Sequence, residues 1–158
     1  MFFNAVIDAP FGKVGIRTDD DTVREIIYLP HGTPNQTPDS PLAARAVEQI
    51  QRYFEAASAS FDLPLADLGT AYQRRVWQAL SEIPLGVVLT YGQLAEKIGS
   101  APRAIGQACG ANYFPLVIPC HRVVAANDIG GFAHHAGEGY YRQVKRWLLA
   151  HEGVRLDR

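Results

Sequence analysis

The 158-residue chain has little cysteine, no long hydrophobic run and almost no net charge. Its two cysteines, Cys109 and Cys120, are too few for the disulfide framework of a small secreted domain, so we expect two free thiols in a reducing compartment. No apolar run approaches the roughly 18 residues of a membrane span, and the first residues lack the basic start and apolar segment of a secretory signal. The sequence therefore predicts a cytoplasmic protein without a membrane partner.

The net charge of −1 conceals an uneven distribution of charge along the chain. Residues 1–73 carry five basic and ten acidic side chains, whereas residues 74–158 carry ten basic and six acidic ones. A basic half suits a polyanionic partner, because phosphate contacts dominate non-specific affinity for DNA. The same excess is compatible with an ordinary solvated face, and it is small enough that we expect any binding of this kind to be weak and sensitive to salt.

The first half of the chain is predicted to form a small antiparallel meander followed by one helix. Strands are predicted at 2–7, 12–17 and 23–29, where β-branched and apolar residues lie between glycine, proline and aspartate turns. Ser40 is the expected N-cap of the helix, with Pro41 as its first residue. The residues on its predicted buried face are Ala43, Val47, Ile50 and Phe54. Residues 61–69 are predicted to link two subdomains.

The second half is predicted to be mainly helical. Thr70 and Gln73 have the spacing of a capping box, which begins a helix that Pro84 ends. A short strand is predicted at 87–89, and a last helix at 142–151.

Between these elements lie two predicted helices joined by a short turn. Thr90 is the expected cap of a helix at 91–98, Gly99 ends it, and a helix at 103–111 follows. Such a pair resembles a helix-turn-helix, which places its second helix on DNA, although similar pairs also serve only as packing units. The second helix is rich in small residues that would allow close approach to a groove or to another helix: Ala104, Gly106, Ala108, Gly110 and Ala111. Few of them could read base edges, which argues against a sequence-specific repressor.

Cys120 is the candidate nucleophile of this sequence. It follows an apolar run at 114–118 that is predicted to be β-like, and then Pro119, which tends to stop regular structure. It precedes His121, a possible base. The thiolate is the reactive form of cysteine, and a nearby base or positive charge increases its fraction. Adjacent side chains of an extended segment point to opposite faces, so the pair alone is more typical of a buried structural cysteine beside a packed histidine.

The longer string IPCHRVV at 118–124 resembles the active-site segment of the O6-alkylguanine-DNA alkyltransferases, also called methylated-DNA–protein-cysteine methyltransferases. Further similar segments follow in the same order over residues 70–153. They are YQRRVW at 72–77, IPLG at 83–86, TYGQLA at 90–95, RAIG at 103–106, Asn112, and WLLAHEG at 147–153.

The resemblance implies an α/β (α+β) fold in two domains. Residues 1–66 would form an RNase H-like domain, a small antiparallel sheet plus a helix. Residues 67–158 would form a helical domain with a helix-turn-helix, which binds DNA and accepts the alkyl group. The implied activity is DNA repair by irreversible transfer of an alkyl group from O6-alkylguanine in double-stranded DNA to Cys120, once per molecule, and O4-alkylthymine stays open as a second substrate. The expected protein is a monomer that uses no cofactor and no metal.

Catalytic roles follow from the same resemblance. Cys120 would accept the alkyl group, His121 would act as its base through a bound water, and Glu152 would orient His121. Tyr91 resembles the tyrosine that donates to the guanine and helps to rotate the nucleotide out of the helix. Asn112 resembles the hinge between the recognition helix and the active-site segment.

The remaining expected site residues contact DNA or line the base pocket. The DNA-binding candidates are Arg74, Arg75, Arg103, Gly110 and Ala111, and the pocket candidates are Phe132, Ala133 and Pro119. The loop after the active site is longer than the family's pattern, which leaves the size of the pocket open. Arg122 and Lys145 could each contact a phosphate, but we favour an internal role for Arg122.

Two other functions remain to be distinguished from alkyl transfer. A lesion-binding protein without transfer activity would resemble the family but lack the cysteine. A cysteine hydrolase using Cys120, His121 and Glu152 would turn over repeatedly, whereas an alkyltransferase stops after one equivalent.

Overall fold

The computed structural model describes residues 2–126, 128–129 and 139–155. The chain divides into two compact units, Met1–Asp67 and Leu68–Arg158, which are described separately. No helix among the described residues has the length and apolar character needed to cross a membrane.

The first unit contains the predicted meander. Strands β1 (Ala5–Ala9), β2 (Gly12–Thr18) and β3 (Val23–Leu29) pair antiparallel in the order β1-β2-β3. Strand β1 begins later than predicted, and β3 has the predicted bounds. On β2, a Cβ at Gly15 would lie 2.8 Å from the side chains of both Phe3 and Leu29, so a larger residue would require these side chains to move.

Helix α1 (Pro41–Glu55) covers this sheet. The Ser40 side chain accepts the backbone N–H of Ala43, as expected for an N-cap. The predicted buried stripe is correct except at its end, where Tyr53 is buried and Phe54 is only half-buried. The Phe54 ring instead packs edge-on against Phe11, 5.7 Å away.

The predicted linker at 61–69 belongs mostly to the first unit. The Val23 N–H donates to the carbonyl of Pro64, and the Ala66 N–H donates back to the carbonyl of Val23. Leu63 and Ala66 are buried, so this segment is fixed at the sheet edge and the boundary falls after Asp67.

The second unit is mainly helical, as predicted. Its elements are α2 (Ala71–Ser81), β4 (Leu89–Thr90), α3 (Tyr91–Ile98), α4 (Pro102–Gly110), a 3₁₀ turn (Cys120–Arg122), β5 (Val123–Val124) and α5 (Tyr140–His151). The capping boxes of Thr70 and Thr90 are both complete, and Gly99 ends α3 with a left-handed φ of 69°.

Helix α2 holds the helix-turn-helix of α3 and α4 in place. The indole Nε1 of Trp77 donates a buried hydrogen bond of 2.9 Å to the carbonyl of Ala108 in α4. The Tyr72 hydroxyl lies 2.6 Å from the hydroxyl of Ser100 in the turn. These two bonds lie near the two ends of α4, so they hold this helix against α2.

The sequence did not predict that β4 and β5 pair as a two-residue parallel ladder. Leu89 is the partner of Val123, and Thr90 is the partner of Val124. The ladder joins the start of α3, where Tyr91 lies, to the residues that directly follow the Cys120 turn.

Candidate active site

The segment before Cys120 is a turn and not the β-like run expected from its apolar residues. The Ile118 N–H donates to the carbonyl of Phe114, which closes the turn at 2.8 Å. Leu116, inside it, has a φ of 76° and is 4% exposed. A left-handed backbone is unfavourable for leucine, so the surrounding contacts must impose this conformation.

The side chain of Asn112 imposes much of this conformation. Its Oδ1 accepts the backbone N–H of Phe114 at 2.9 Å, and its Nδ2 donates to the carbonyl of Ile118 at 2.9 Å. The Asn112 amide also lowers the pKa of the Cys120 thiol. One side chain therefore connects the end of α4 to the turn that precedes the candidate nucleophile.

Cys120 is the first residue of the 3₁₀ turn and is 6% exposed. Burial raises the pKa of its thiol above the ordinary value, and the Asn112 hydrogen bond and the charge of Lys145 offset this only in part. The thiol is accordingly protonated at neutral pH and needs a base to react as thiolate.

His121 and Glu152 form a buried pair next to this thiol. His121 Nε2 lies 2.7 Å from Oε2 of Glu152, and both side chains are fully shielded from solvent. Burial lowers the pKa of His121, and the cations Arg122 and Lys145 act in the same direction against the raising effect of Glu152. The imidazole is thus neutral, with Nε2–H donating to the carboxylate. Its Nδ1 is buried and has no hydrogen-bond partner among the described residues.

Arg122 points inward, in agreement with the internal role favoured from the sequence. Its Nε and Nη2 donate to the two oxygens of Glu152 at 2.8 and 3.2 Å, and its Nη1 donates to the carbonyl of Ile83 at 2.6 Å. These contacts join the 3₁₀ turn to the ends of α2 and α5.

Lys145 is a component of the site whose role the sequence left undecided. It is fully buried in α5, and its Nζ donates to the carbonyl of Val123 at 2.7 Å. Burial lowers its pKa to about 8, and negative charge on Cys109 or Cys120 would raise it. Its spacing from Leu148 and Leu149 puts it on the apolar face of α5, which is the signal that could have identified a buried lysine.

Tyr91 is the first residue of α3, and it stays protonated. Burial raises the pKa of its phenol, and negative charge on Cys109 or Cys120 would raise it further. A phenol held in this form is a hydrogen-bond donor over the whole physiological range of pH. Cys109 is itself in a similar state, since burial raises the pKa of its thiol.

The three arginines expected to bind DNA are all exposed in the second unit. Arg74 Nε donates to the carbonyl of Leu68 at 3.1 Å, and the Arg75 guanidinium lies 5.5 Å from the centre of the Tyr72 ring. Arg103 lies in the first turn of α4. All three side chains are exposed to solvent, so each can still contact a phosphate.

The other expected residues differ in how the structure places them. Gly110 ends α4, Ala111 follows it, and Pro119 is buried beside Cys120. Phe132 and Ala133 lie outside the described residues, so their expected pocket contacts stay predictions. Among the residues that the structure describes, no cluster of three or more His, Cys, Asp or Glu side chains could hold a metal ion.

The comparison with known families identifies the chain. A family model described as "6-O-methylguanine DNA methyltransferase, DNA binding domain" matches residues 71–154. The chain belongs to this methyltransferase family. The matched residues include Cys120, His121 and Glu152 together with all of α2, α3, α4 and α5.

Relatives in the methyltransferase family match nearly the whole chain. The methylated-DNA–protein-cysteine methyltransferase of Methanosarcina acetivorans is 33% identical and covers 96% of this chain and 98% of its own length. The constitutive enzyme of that name from Bacillus subtilis is 33% identical, with coverage of 98% and 97%.

Solved structures of the methyltransferase family share the fold. The O6-methylguanine methyltransferase of Mycobacterium tuberculosis aligns with a TM-score of 0.77 at 33% identity, over 96% of this chain and 93% of that one. The M. tuberculosis OGT in complex with DNA aligns with a TM-score of 0.75 at 35% identity, over 93% and 90%.

Proposed function

We propose that this chain repairs DNA by direct, irreversible transfer of an alkyl group from O6 of alkylguanine in double-stranded DNA to Sγ of Cys120. The observation that carries the proposal is the buried Cys120 thiol beside a buried, neutral His121 held by Glu152. Membership of the methyltransferase family gives this arrangement its substrate class. The chain acts as a monomer and once per molecule, and it needs neither cofactor nor metal.

The chemistry begins with activation of the thiol. The proton of Cys120 moves through a bridging water to Nδ1 of His121, the one imidazole nitrogen not engaged with Glu152. The resulting imidazolium is stabilised by the Glu152 carboxylate, as in a hydrolase triad. A thiol that is protonated at rest also reacts slowly with stray electrophiles, because the thiolate is the nucleophile.

The thiolate then attacks the alkyl carbon in a substitution. The new S–C bond forms as the C–O6 bond breaks, and the electron pair of the broken bond leaves with the guanine. Tyr91 donates a hydrogen bond to the departing base, which a phenol with a raised pKa can do without losing its proton at neutral pH. The product is a thioether, which water does not hydrolyse, so Cys120 is not regenerated.

The target carbon is inaccessible inside a duplex, so the nucleotide must be extruded. We propose that α4 lies against the DNA, with its small residues permitting close contact and the exposed Arg74, Arg75 and Arg103 meeting phosphates. Selectivity for the lesion then comes from the base pocket, which Tyr91, Cys120 and the loop containing Phe132 would form.

The decisive test is intact-protein mass spectrometry after incubation with a duplex that contains one O6-methylguanine. We expect every molecule to gain the mass of one methylene unit, and the DNA to lose one methyl group per molecule of protein. The matched undamaged duplex and the Cys120→Ser variant serve as controls and should show no gain. Demethylation that continues well beyond one equivalent of DNA, with no change in protein mass, would instead indicate a hydrolytic enzyme.

A further inference from the structure

The guanidinium of Arg122 makes an unusually complete set of contacts for a residue next to a histidine base. Two of its nitrogens contact the two oxygens of Glu152, and the third donates to a backbone carbonyl at Ile83. The side chain is 14% exposed and that of Glu152 is not exposed at all. This is a buried, forked ion pair, unlike the exposed pairs that contribute little.

The first consequence concerns the charge of Glu152. An ionised carboxylate without solvent contact is costly unless a cation and hydrogen bonds compensate for the lost water. His121 is neutral and supplies only a hydrogen bond, whereas Arg122 is charged at every physiological pH. Arg122 therefore keeps Glu152 ionised while His121 is still free of the transferred proton.

The second consequence concerns orientation. Oε1 of Glu152 accepts from Arg122 Nε, and Oε2 accepts from both Arg122 Nη2 and His121 Nε2. A carboxylate fixed through both oxygens cannot rotate, so it fixes the hydrogen of the imidazole on Nε2. Nδ1 is then the only nitrogen that can take a proton.

We propose that Arg122 is a positioning residue for alkyl transfer: it holds Glu152 ionised and in one orientation, so that His121 presents Nδ1 as the base for Cys120. The proposal rests on the function proposed above. It assigns to Arg122 an internal part in the proton transfer and none in phosphate binding.

Arg122 also sets the electrostatic surroundings of His121. Among the described residues, the charged groups that act on the imidazole are Glu152 and Lys145 on the α5 side and Arg122 in its own turn. Cys120 precedes it in the same turn. The α2 side contributes the carbonyl of Ile83, which accepts from Arg122. Because the Arg122 charge lowers the pKa of His121, its removal should raise that pKa. The acid limb of the transfer rate would then move to higher pH, since only neutral His121 accepts the proton.

The experiment compares the full chain with Arg122→Gln and Arg122→Lys in two measurements. The first is the single-turnover transfer rate from a methylated duplex between pH 6 and pH 9. The second is an NMR titration of ¹⁵N-labelled histidine, in which the His121 signal is identified by its loss in His121→Gln. Arg17→Gln is the control, because it breaks another partly buried ion pair, with Glu25, in the first unit.

We expect Arg122→Gln to slow transfer by roughly tenfold to a hundredfold at pH 7. This is less than the roughly 10²–10⁴-fold that a general base contributes, because the variant keeps His121 itself. The loss should be smaller at pH 9 than at pH 6, and the His121 titration should move to higher pH. Arg122→Lys keeps the positive charge but not the two-pronged contact with Glu152. The His121 titration in this variant should therefore stay near that of the natural protein, while the transfer rate falls by a similar factor at every pH. Arg17→Gln should match the natural protein in both measurements.

An unchanged His121 titration and acid limb in Arg122→Gln would overturn the proposal, even if the rate fell. If Arg122→Gln does not fold, as judged by circular dichroism, the lysine variant decides: a rate equal to that of the natural protein would overturn it. The NMR measurement does not depend on activity. Failure of the natural protein to demethylate DNA would therefore refute the proposed function, while the titration still tests the arrangement of Arg122 and His121.

Discussion

The ammonium nitrogen of Lys145 lies 5.7 Å from the centre of the Tyr91 ring. This contact puts a buried cation beside the phenol that we expect to donate to the departing guanine. The same cation lowers the pKa of Cys120, and negative charge on Cys109 or Cys120 would raise the pKa of Lys145. Lys145 thus links the nucleophile and the hydrogen-bond donor, although it is not expected to touch the substrate.

The buried lysine should be visible in the pH dependence of stability. Its pKa in the folded protein is about 8, below the ordinary 10.5, so between these values the unfolded chain binds more protons and folding becomes more favourable as pH rises. Relative to Lys145→Met, the natural protein should gain roughly 3 kcal/mol of unfolding free energy between pH 7 and pH 11. Urea unfolding of both proteins at several pH values measures this. Parallel stability curves would show that the lysine titrates normally in the folded state.

Cys120 alone should accept the alkyl group. Both cysteines are protonated thiols at rest, but only Cys120 lies beside the His121–Glu152 pair. Peptide mapping after reaction with methylated DNA should find one added methylene unit on Cys120 and none on Cys109. The Cys109→Ala variant should retain the transfer rate, whereas activity in Cys120→Ala would refute the assignment.

Tyr91 should be needed more for duplex DNA than for a free base. A free O6-benzylguanine requires no extrusion from a helix, so it tests the pocket and the leaving group alone. We expect Tyr91→Ala to reduce the rate with duplex DNA far more than the rate with O6-benzylguanine, and Tyr91→Phe to lose mainly the hydrogen bond to the base. Equal losses of Tyr91→Ala on both substrates would restrict the residue to the pocket or the core.

Gly106 offers a test of the DNA-binding face of α4 that does not damage the fold. A Cβ at this position would meet no atom of the described residues within 4 Å, so their packing does not require glycine there. Gly106→Ala should therefore stabilise the protein by about 1 kcal/mol through helix propensity. It should also weaken DNA binding, because the added methyl group prevents α4 from approaching the DNA backbone closely. Thermal unfolding and DNA titration separate the two effects. Gly32→Ala lies in the first unit, where a Cβ likewise meets no described atom within 4 Å, and it should leave DNA affinity unchanged.

Binding to undamaged DNA should be weak, almost independent of sequence and strongly reduced by salt. Replacing an arginine that contacts a phosphate, with Arg103→Gln as the first variant, should lower affinity equally for all sequences and reduce the salt slope by roughly one. Fluorescence anisotropy at several salt concentrations measures both quantities, with Arg17→Gln as the control. Tight binding to one undamaged sequence over scrambled duplexes would move the protein towards the sequence-specific regulators.

Local signals predicted most of the helices. The capping boxes that begin at Thr70 and Thr90 involve residues only three apart, and the structure contains both. The left-handed end of α3 at Gly99 is equally local. Such features depend on short-range hydrogen bonds, so they can be recognised without knowing the tertiary structure.

Features that depend on distant partners were missed. The apolar residues at 114–118 suggested a strand. The Asn112 side chain instead hydrogen-bonds two backbone groups that strand pairing would use, and the left-handed φ of Leu116 reverses the direction of the chain. The ladder between Leu89 and Val123 is too short to have a pattern. The Arg122–Glu152 pair spans 30 residues, and only the resemblance to a family drew attention to Glu152.

Two requirements meet at Leu116 that few amino acids satisfy together. Its left-handed backbone suits glycine or asparagine, while its buried side chain fills space that either would leave empty, at a cost of about 2–5 kcal/mol for a truncation to alanine size. A β-branched replacement would fit the volume but not the backbone. We therefore expect position 116 to tolerate very few substitutions and to change slowly over evolutionary time, although Leu116 takes no part in the chemistry.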